Sequence, residues 1–250
     1  MVQYKPPISP STETDLPETD NFPVDNELQI LIPTLLRATL ALAWPDRMDW
    51  FFGINLGLYY DPTKPAIGPD AFLSIGVPRY RPEQGLRLSY LLWQEGITPQ
   101  WVLEIVSKTP GQEYDAKMEL YAELGILYYT IFNPDYWQRD QHQPFEVYRL
   151  IDGCYRLQAN TPIWMPEVGL GIGMAAGTQE GLPLRNWLYW YDEQGQPYPA
   201  PENVIAMERA RTAHERQLRQ QAENEANQER MLREDLLKKL RERGIDPETL

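Results

Sequence analysis

The chain has 250 residues, a hydrophobic content of 42% and a formal net charge of −13 at pH 7. This length and apolar content predict one sizeable core with appendages and exclude a wholly disordered chain. A single cysteine excludes an internal disulfide framework and suits a reducing cytoplasm. The excess of acids opposes non-specific affinity for nucleic acid, since that affinity comes from neutralising phosphates.

No apolar run approaches the roughly 20 residues of a membrane-spanning helix. The chain begins MVQYKPPISPSTETDLPETD, an acidic and proline-rich stretch without a basic flank before an apolar core. This stretch is therefore not a signal peptide. We expect a cytoplasmic protein without a membrane partner.

Residues 1–23 predict a disordered segment because polar, acidic and proline residues dominate them. Residues 24–201 alternate apolar runs with breakers, which predicts one α/β domain. This domain opens with a helix over 24–44, in which Pro33 is expected to introduce a break or a kink. A strand over 50–60 follows, ended by Asp61-Pro62.

The stretch 101–132 reads WVLEIVSKTPGQEYDAKMELYAELGILYYTIF. Two apolar runs flank a piece with helical periodicity, which predicts strand, helix, strand. Glu104 interrupts the first run, and Lys117 falls within the apolar arc of a helix starting near Gln112. A carboxylate and an ammonium facing the core each need an opposite charge. These two residues alone leave a structural ion pair and a catalytic centre as equally good interpretations.

A third residue, Asp70, lies at the start of the strand-like run 71–75. Asp70, Glu104 and Lys117 together resemble the PD-(D/E)xK nuclease superfamily, in which two acids and a lysine cluster at the end of a sheet. The pattern is most similar to the Uma-type family of restriction endonucleases, over roughly residues 24–170. Each motif alone is weak, but their order and spacing are fairly specific. The matching residues are Pro69-Asp70, Glu104-Ile105-Val106-Ser107, and Lys117 with Tyr121 before Gly125.

The resemblance implies a restriction-endonuclease-like fold, a mixed sheet flanked by helices, in which the run 86–93 continues the sheet. It also implies cleavage of DNA with Mg²⁺ or Mn²⁺ as the cofactor. Asp70, Glu104 and the carbonyl oxygen of Ile105 would hold the ion, and Lys117 would orient the attacking water or stabilise the transition state. The supporting residues around them would be Glu113, Tyr121 and Ser107.

Three departures from the family pattern concern the lysine and the amino terminus. Val106 occupies the place, two residues after the glutamate, where the superfamily usually has its lysine. Lys108 has the right parity but would be roughly 13 Å away along the sheet. Glu113 stands where the family usually has aspartate. The family's Glu-Leu-Ile-Asp-Gly segment has no clear counterpart, and Glu27 is a weak substitute.

Two further stretches follow this unit. Residues 145–158 predict a hairpin through Asp152-Gly153. Residues 202–243, within the terminal region 202–250, predict a continuous helix ended by Gly244. Sustained heptads are absent, so a solvated helix is the default and a loose coiled coil in a homodimer, using the Leu232–Leu240 end, is the alternative.

A local basic stretch, Arg79, Arg81 and Arg87, could touch a phosphate backbone, although a solvated loop is the commoner explanation. Two other functions remain open beside a DNA endonuclease. One is a catalytically silent nuclease-like binding or scaffold protein that oligomerises through its terminal helix, which the acidic charge favours. The other is hydrolysis of a small phosphodiester, which would need no basic groove.

Overall fold

The computed structural model describes residues 26–82, 85–109 and 111–243. The disordered segment predicted over residues 1–23 lies outside these ranges. The chain divides into two units, with the boundary after Pro201. The strands belong to the first unit, and the second unit is helical over its described residues.

The helices of the described residues are α1 (Leu28–Ala43), α2 (Leu92–Glu95), α3 (Ala116–Glu123), α4 (Trp137–Asp140) and α5 (Pro201–Glu242). The first strands are β1 (Trp50–Ile54), β2 (Leu58–Tyr59), β3 (Ala71–Ile75), β4 (Tyr90–Leu91), β5 (Trp101–Ile105) and β6 (Tyr128–Phe132). The later strands are β7 (Phe145–Ile151), β8 (Cys154–Leu157), β9 (Ile163–Met165), β10 (Leu170–Gly177) and β11 (Arg185–Tyr191).

A six-stranded mixed sheet forms the centre, in the order β1-β3-β5-β6-β7-β8. β5 and β6 are parallel, and the other neighbouring pairs are antiparallel. Parallel neighbours need a crossover connection, and α3 lies within it. Every residue of β5 and β6 is buried, as expected for strands covered on both faces. The predicted strand–helix–strand unit and the α/β class are therefore confirmed.

One face of the central sheet packs against α1 and the three-stranded sheet β11-β10-β9. The buried side of α1 follows from apolar residues at four-residue spacing, Leu28, Ile32, Leu36 and Leu40. The indole Nε1–H of Trp190 donates to the Leu36 carbonyl oxygen at 2.9 Å, which joins α1 to β11. Pro33 lies inside α1, and the helix continues through it, so the predicted break is absent.

Two predicted strands differ from the structure. The run 50–60 forms two strands, β1 and β2, because the chain turns at Asn55, whose φ is 45°. Within the run 86–93, only Tyr90 and Leu91 are in a strand, and β4 pairs in parallel with β2 in a separate two-stranded sheet. The prediction that this run continues the central sheet was wrong, since β3 pairs directly with β5.

The predicted hairpin is confirmed, with β7 and β8 antiparallel and joined through Asp152 and Gly153. Their φ values are 50° and 77°, the left-handed conformation that two-residue hairpin turns require. In the second unit, α5 has no buried residues. Most of its large apolar side chains are at least half exposed, and Leu237 and Leu240 are partly exposed. No helix in the described ranges is long and apolar enough to cross a membrane.

Candidate active site

The pairing of β3 with β5 brings the two predicted acids together. Ala71 is opposite Leu103 in this antiparallel ladder, so one further step sets Asp70 opposite Glu104. Side chains directly opposite each other in such a pair lie on the same face of the sheet. Two acids that are distant in the sequence thus become neighbours through strand register.

Asp70 is 6% exposed, and its Oδ2 accepts a hydrogen bond from the Ile105 backbone N–H at 2.6 Å. This contact holds the carboxylate against the end of β5. On the other side, the Asn55 N–H donates to the Asp70 carbonyl oxygen at 3.2 Å. Asp70 therefore bridges the ends of β1 and β5.

Glu104 is 2% exposed, and α3 supplies hydrogen bonds to both of its oxygens. Lys117 Nζ donates to Oε2 at 2.8 Å, and the Tyr121 hydroxyl donates to Oε1 at 2.5 Å. Lys117 and Tyr121 are four residues apart and so lie on the same face of α3. The Lys117 side chain keeps 26% of its surface exposed, so it connects the buried carboxylate with solvent.

The electrostatics indicate a shortage of positive charge around these carboxylates. Burial and the negative charge of Glu104 raise the pKa of Asp70 well above its usual value, despite the Ile105 hydrogen bond and Lys117. Burial also raises the pKa of Glu104, against the opposing effects of Lys117 and Tyr121. Burial by itself lowers the pKa of Lys117, but attraction to Glu104, Glu113 and Asp70 outweighs it and the net pKa is raised.

Glu113 and Ser107 shape the loop that follows β5. Both Glu113 oxygens accept the Gly111 N–H, at 3.1 and 2.9 Å, and a side chain at Gly111 would meet Glu113 Oε1 at 2.6 Å. The Ser107 hydroxyl donates to the Thr109 carbonyl oxygen at 2.9 Å. These contacts lie within the loop, so both residues constrain the backbone that follows β5. Lys108 is exposed, in agreement with the choice of Lys117.

Sequence reasoning missed Gln29 and Arg139. Gln29 Nε2 donates to the Ile105 carbonyl oxygen at 3.5 Å, whereas Glu27 is exposed. The sequence feature that could have pointed to Gln29 is its polar side chain next to Leu28, which is buried in the first turn of α1. Arg139 donates to the carbonyl oxygens of Lys108 and Ser107, at 2.7 and 3.4 Å, and so fixes the loop after β5.

The donor atoms suit a hard cation. Two carboxylates and the Ile105 carbonyl are oxygen ligands of the kind that Mg²⁺ and Mn²⁺ prefer, and an added cation would balance the excess negative charge. In the described part of the chain, no group of three or more His, Cys, Asp or Glu side chains forms a metal site. An ion at this centre would therefore complete its coordination with the carbonyl oxygen and water.

A cavity of about 300 Å³ lies at the loop that leads into α3. The residues that line it are Gln112, Glu113, Tyr114, Asp115, Asp140 and His142. Asp70, Glu104 and Lys117 are not among them. The three predicted catalytic groups therefore converge, but the two acids are almost sealed and Lys117 is their more exposed neighbour.

A family model described as "Uma2: Putative restriction endonuclease" matches residues 23–178, which is more than half of the chain. The chain belongs to the Uma2 family. The match contains Asp70, Glu104 and Lys117 and confirms the family recognised from the sequence.

One solved structure similar to this Uma2 chain is described as a putative nuclease belonging to DUF820 from Anabaena variabilis ATCC 29413. The similarity covers 58% of this chain and 74% of that chain, at 14% identity and a TM-score of 0.41. A comparison with curated proteins gave no match.

The Tyr121 hydroxyl offers a test of how Glu104 is held. Tyr121→Phe leaves Oε1 of a buried carboxylate without its donor, so we expect a loss of about 1–3 kcal/mol of unfolding free energy. The matched control is Tyr155→Phe, which removes a hydroxyl that donates to the Ile126 carbonyl oxygen at 2.8 Å. Urea denaturation measures both. Equal metal affinity and equal cleavage by the two variants would contradict a role of Tyr121 at the centre.

The raised pKa values also predict a pH dependence. Asp70 binds protons more tightly in the folded protein than in the unfolded chain, whose pKa is near 3.8. The contribution of Asp70 protonation to the free energy of unfolding is complete below that value. It is lost as the pH rises through the raised pKa of the folded protein. In EDTA, the melting temperature of Asp70→Asn minus that of wild type should therefore increase as the pH rises from 4 to 8.

The matched control for this titration is Asp49→Asn. Its hydrogen bond with Arg47 lowers the pKa of Asp49, so the melting-temperature difference from wild type should have the opposite sign. The effect should be small because the Asp49 side chain is 54% exposed. A difference for Asp70→Asn that does not change with pH would contradict a pKa of Asp70 that is raised by burial and by the charge of Glu104.

Proposed function

We propose that this Uma2 chain is a metal-dependent endonuclease that hydrolyses phosphodiester bonds in DNA, with Mg²⁺ or Mn²⁺ as its cofactor. Its centre would be of the PD-(D/E)xK type, formed by Asp70, Glu104 and Lys117. The observation that carries the proposal is the convergence of two buried acids, short of positive charge, with a lysine from the crossover helix. The family match supports the same conclusion.

Asp70, Glu104 and the Ile105 carbonyl oxygen would hold the ion. When bound, such an ion polarises the scissile phosphate and lowers the pKa of its water. The Lys117 ammonium has three N–H donors, of which one is used by Glu104. It could therefore also donate to the attacking water or to a phosphoryl oxygen as charge develops there. Tyr121 would keep the Glu104 carboxylate in one orientation.

A divalent-ion titration with plasmid DNA tests this function. Supercoiled plasmid is incubated with purified protein in Mg²⁺, Mn²⁺, Ca²⁺ or EDTA, and nicked and linear products are separated on a gel. We expect cleavage by wild type in Mg²⁺ or Mn²⁺ and none in EDTA. Absence of cleavage by wild type, or cleavage retained by Asp70→Ala, would remove the proposal.

A second candidate is a catalytically silent nuclease-like module that binds a partner or serves as a scaffold. The observation in its favour is that Lys117 and Tyr121 already occupy both oxygens of Glu104, as in a structural ion pair. Calorimetry with Mg²⁺ and Mn²⁺ at pH 7 separates the two candidates. An absence of heat from metal binding would leave Glu104 and Lys117 as a structural pair.

The silent module would oligomerise through α5 as a homodimer. Leu232 and Leu236 are 71% and 58% exposed and are four residues apart on one helix face. Sedimentation of the full chain should then show a dimer that Leu232→Gln with Leu236→Gln dissociates. A monomer for wild type would exclude this part of the proposal.

The proposed function also implies that the protein is located in the cytoplasm. An enzyme that acts on DNA inside cells would work in the cytoplasm. The one cysteine, Cys154, is a free and exposed thiol, which a reducing compartment preserves.

A further inference from the structure

Four arginines converge at the amino-terminal end of β1, at the opposite end of this strand from Asp70 and Glu104. We call Arg37, Arg79, Arg81 and Arg87 the arginine surface. Arg37 is exposed on α1, and the other three follow β3 in the chain. The Arg79 guanidinium carbon lies 3.7 Å from the centre of the Trp50 ring, a cation–π contact that restrains the side chain.

Two of these arginines share a carboxylate. Arg81 and Arg87 bind Glu95 at 2.5 and 2.7 Å, and Arg87 also donates to the Pro78 carbonyl oxygen at 2.8 Å. The Glu95 side chain is 2% exposed, and those of Arg87 and Arg81 are 4% and 18% exposed, so these contacts anchor the loop and contribute charge beneath the surface. Direct contact with a ligand falls to Arg37 and Arg79. Together, Arg81, Arg87 and Glu95 carry one net positive charge.

The remaining two arginines increase the excess of positive charge. In the ranges that the structure describes, no carboxylate is paired with Arg37 or Arg79. Burial, together with the positive charges of Arg37 and Arg87, lowers the pKa of Arg79. The sequence of the loop also contains Glu83, outside the described residues. Even when Glu83 is counted with Glu95, the arginines outnumber the acids two to one.

The location of this surface relates it to the candidate centre. β1 is an edge strand of the central sheet, with Trp50 at one end. At the other end, Asn55 binds the Asp70 backbone. Five residues of antiparallel strand span about 17 Å. Successive phosphates of one DNA strand are about 3.4 Å apart along the helix axis, so this span corresponds to about five base-pair steps.

We propose that the arginine surface binds the phosphate backbone of duplex DNA about five base-pair steps from the scissile phosphate. This inference rests on the proposed endonuclease function and adds where the substrate is held. Arg79, restrained by its contact with Trp50, has the planar guanidinium that suits bidentate contact with a phosphate. The rest of the chain is acidic, with a net charge of −13 for the whole, so a duplex would be attracted to this surface and repelled elsewhere.

The test is the salt dependence of binding to a fluorescent 20-base-pair duplex in EDTA, where the metal-dependent reaction is absent. Each lost phosphate contact reduces the slope of log affinity against log salt by about 1. We expect Arg37→Gln with Arg79→Gln to reduce the slope by about 2 and the affinity by about 10-fold or more. The matched control is Arg156→Gln, an exposed arginine on β8 at the opposite edge of the sheet.

Two further variants distinguish the loss of a phosphate contact from a folding defect. Arg37→Gln alone changes an exposed side chain and should reduce the slope by about 1. Arg79→Lys keeps the positive charge, so it should retain most of the slope while losing bidentate contact. At saturating DNA in Mg²⁺, the single-turnover cleavage rate of Arg156→Gln should equal that of wild type, because Arg156 belongs neither to the arginine surface nor to the centre.

The outcomes separate the two proposals. Slopes that are the same for wild type and the arginine variants overturn the arginine surface, even if plasmid is cleaved. An arginine-dependent slope without cleavage in any metal supports the surface and removes the endonuclease. If a poly-glutamate peptide displaces the duplex from wild type as well as unlabelled duplex does at equal charge, the occupant is an acidic protein segment and the DNA assignment is wrong.

Discussion

Asp70→Asn is expected to lower metal-dependent cleavage of DNA by about 1,000-fold, equivalent to about 4 kcal/mol of transition-state stabilisation. The amide keeps an oxygen that can accept the Ile105 N–H, so the end of β5 should stay in place. It lacks the negative charge that attracts a divalent ion. The rate of plasmid nicking in Mg²⁺, measured under single-turnover conditions, gives the size of the loss.

The stability of the same variant shows whether the loss is specific. The amide carries no charge, so it avoids the burial cost and the repulsion by Glu104 that together raise the pKa of Asp70. The metal-free variant should therefore melt at the same temperature as wild type or higher. Mg²⁺ at 100 times its dissociation constant should stabilise wild type by about 2.7 kcal/mol and leave the variant unchanged. A variant that is unstable in EDTA, or that responds to Mg²⁺ like wild type, would count against a metal-binding Asp70.

Lys117→Met should have the largest effect on stability, a loss of about 3 kcal/mol of unfolding free energy. Glu104 is 2% exposed and would keep Tyr121 as a hydrogen-bond donor while losing its positive partner. The value is at the lower end for a buried pair because the Lys117 side chain is 26% exposed and water can partly replace it. Urea denaturation at pH 7 in EDTA measures the loss.

The double variant Glu104→Gln with Lys117→Met separates stability from catalysis. Replacement of both charges removes the unpaired carboxylate, so most of the lost stability should return. Cleavage should not return, because the proposed metal ligand and the proposed ammonium are both absent. Recovery of cleavage with stability would mean that the pair is structural only. Failure to recover stability would mean that the single variant acts through packing and not through charge.

The central unit was predictable because its signals are local. Breakers mark the ends of the runs around Glu104, and a change of period marks α3, so the strand–helix–strand order follows from the sequence. The pairing of Asp70 with Glu104 came from the family resemblance, since register between strands distant in the chain has no local signal. The structure then supplied the contacts of Lys117 and Tyr121 with separate oxygens of Glu104.

The sequence was less informative where tertiary contacts override local pattern. The run 50–60 looks continuous, but a left-handed Asn55 directs its second half to a partner strand about thirty residues later. Leu86 and Leu88 look like strand residues, yet they are 84% and 69% exposed. Gln29 and Arg139 reach the site through packing of α1 and α4, which no spacing in the sequence encodes.

The link between Asp70 and Ile105 has a consequence for the growing chain on the ribosome. These residues are 35 positions apart, and Lys117 follows later still, so the centre needs a closed long-range loop and a finished crossover. An incomplete polypeptide holds its acids apart, as separate hydrated groups with no shared affinity for a divalent ion. The proposed hydrolytic activity would therefore appear only after the crossover helix has brought Lys117 to the two acids.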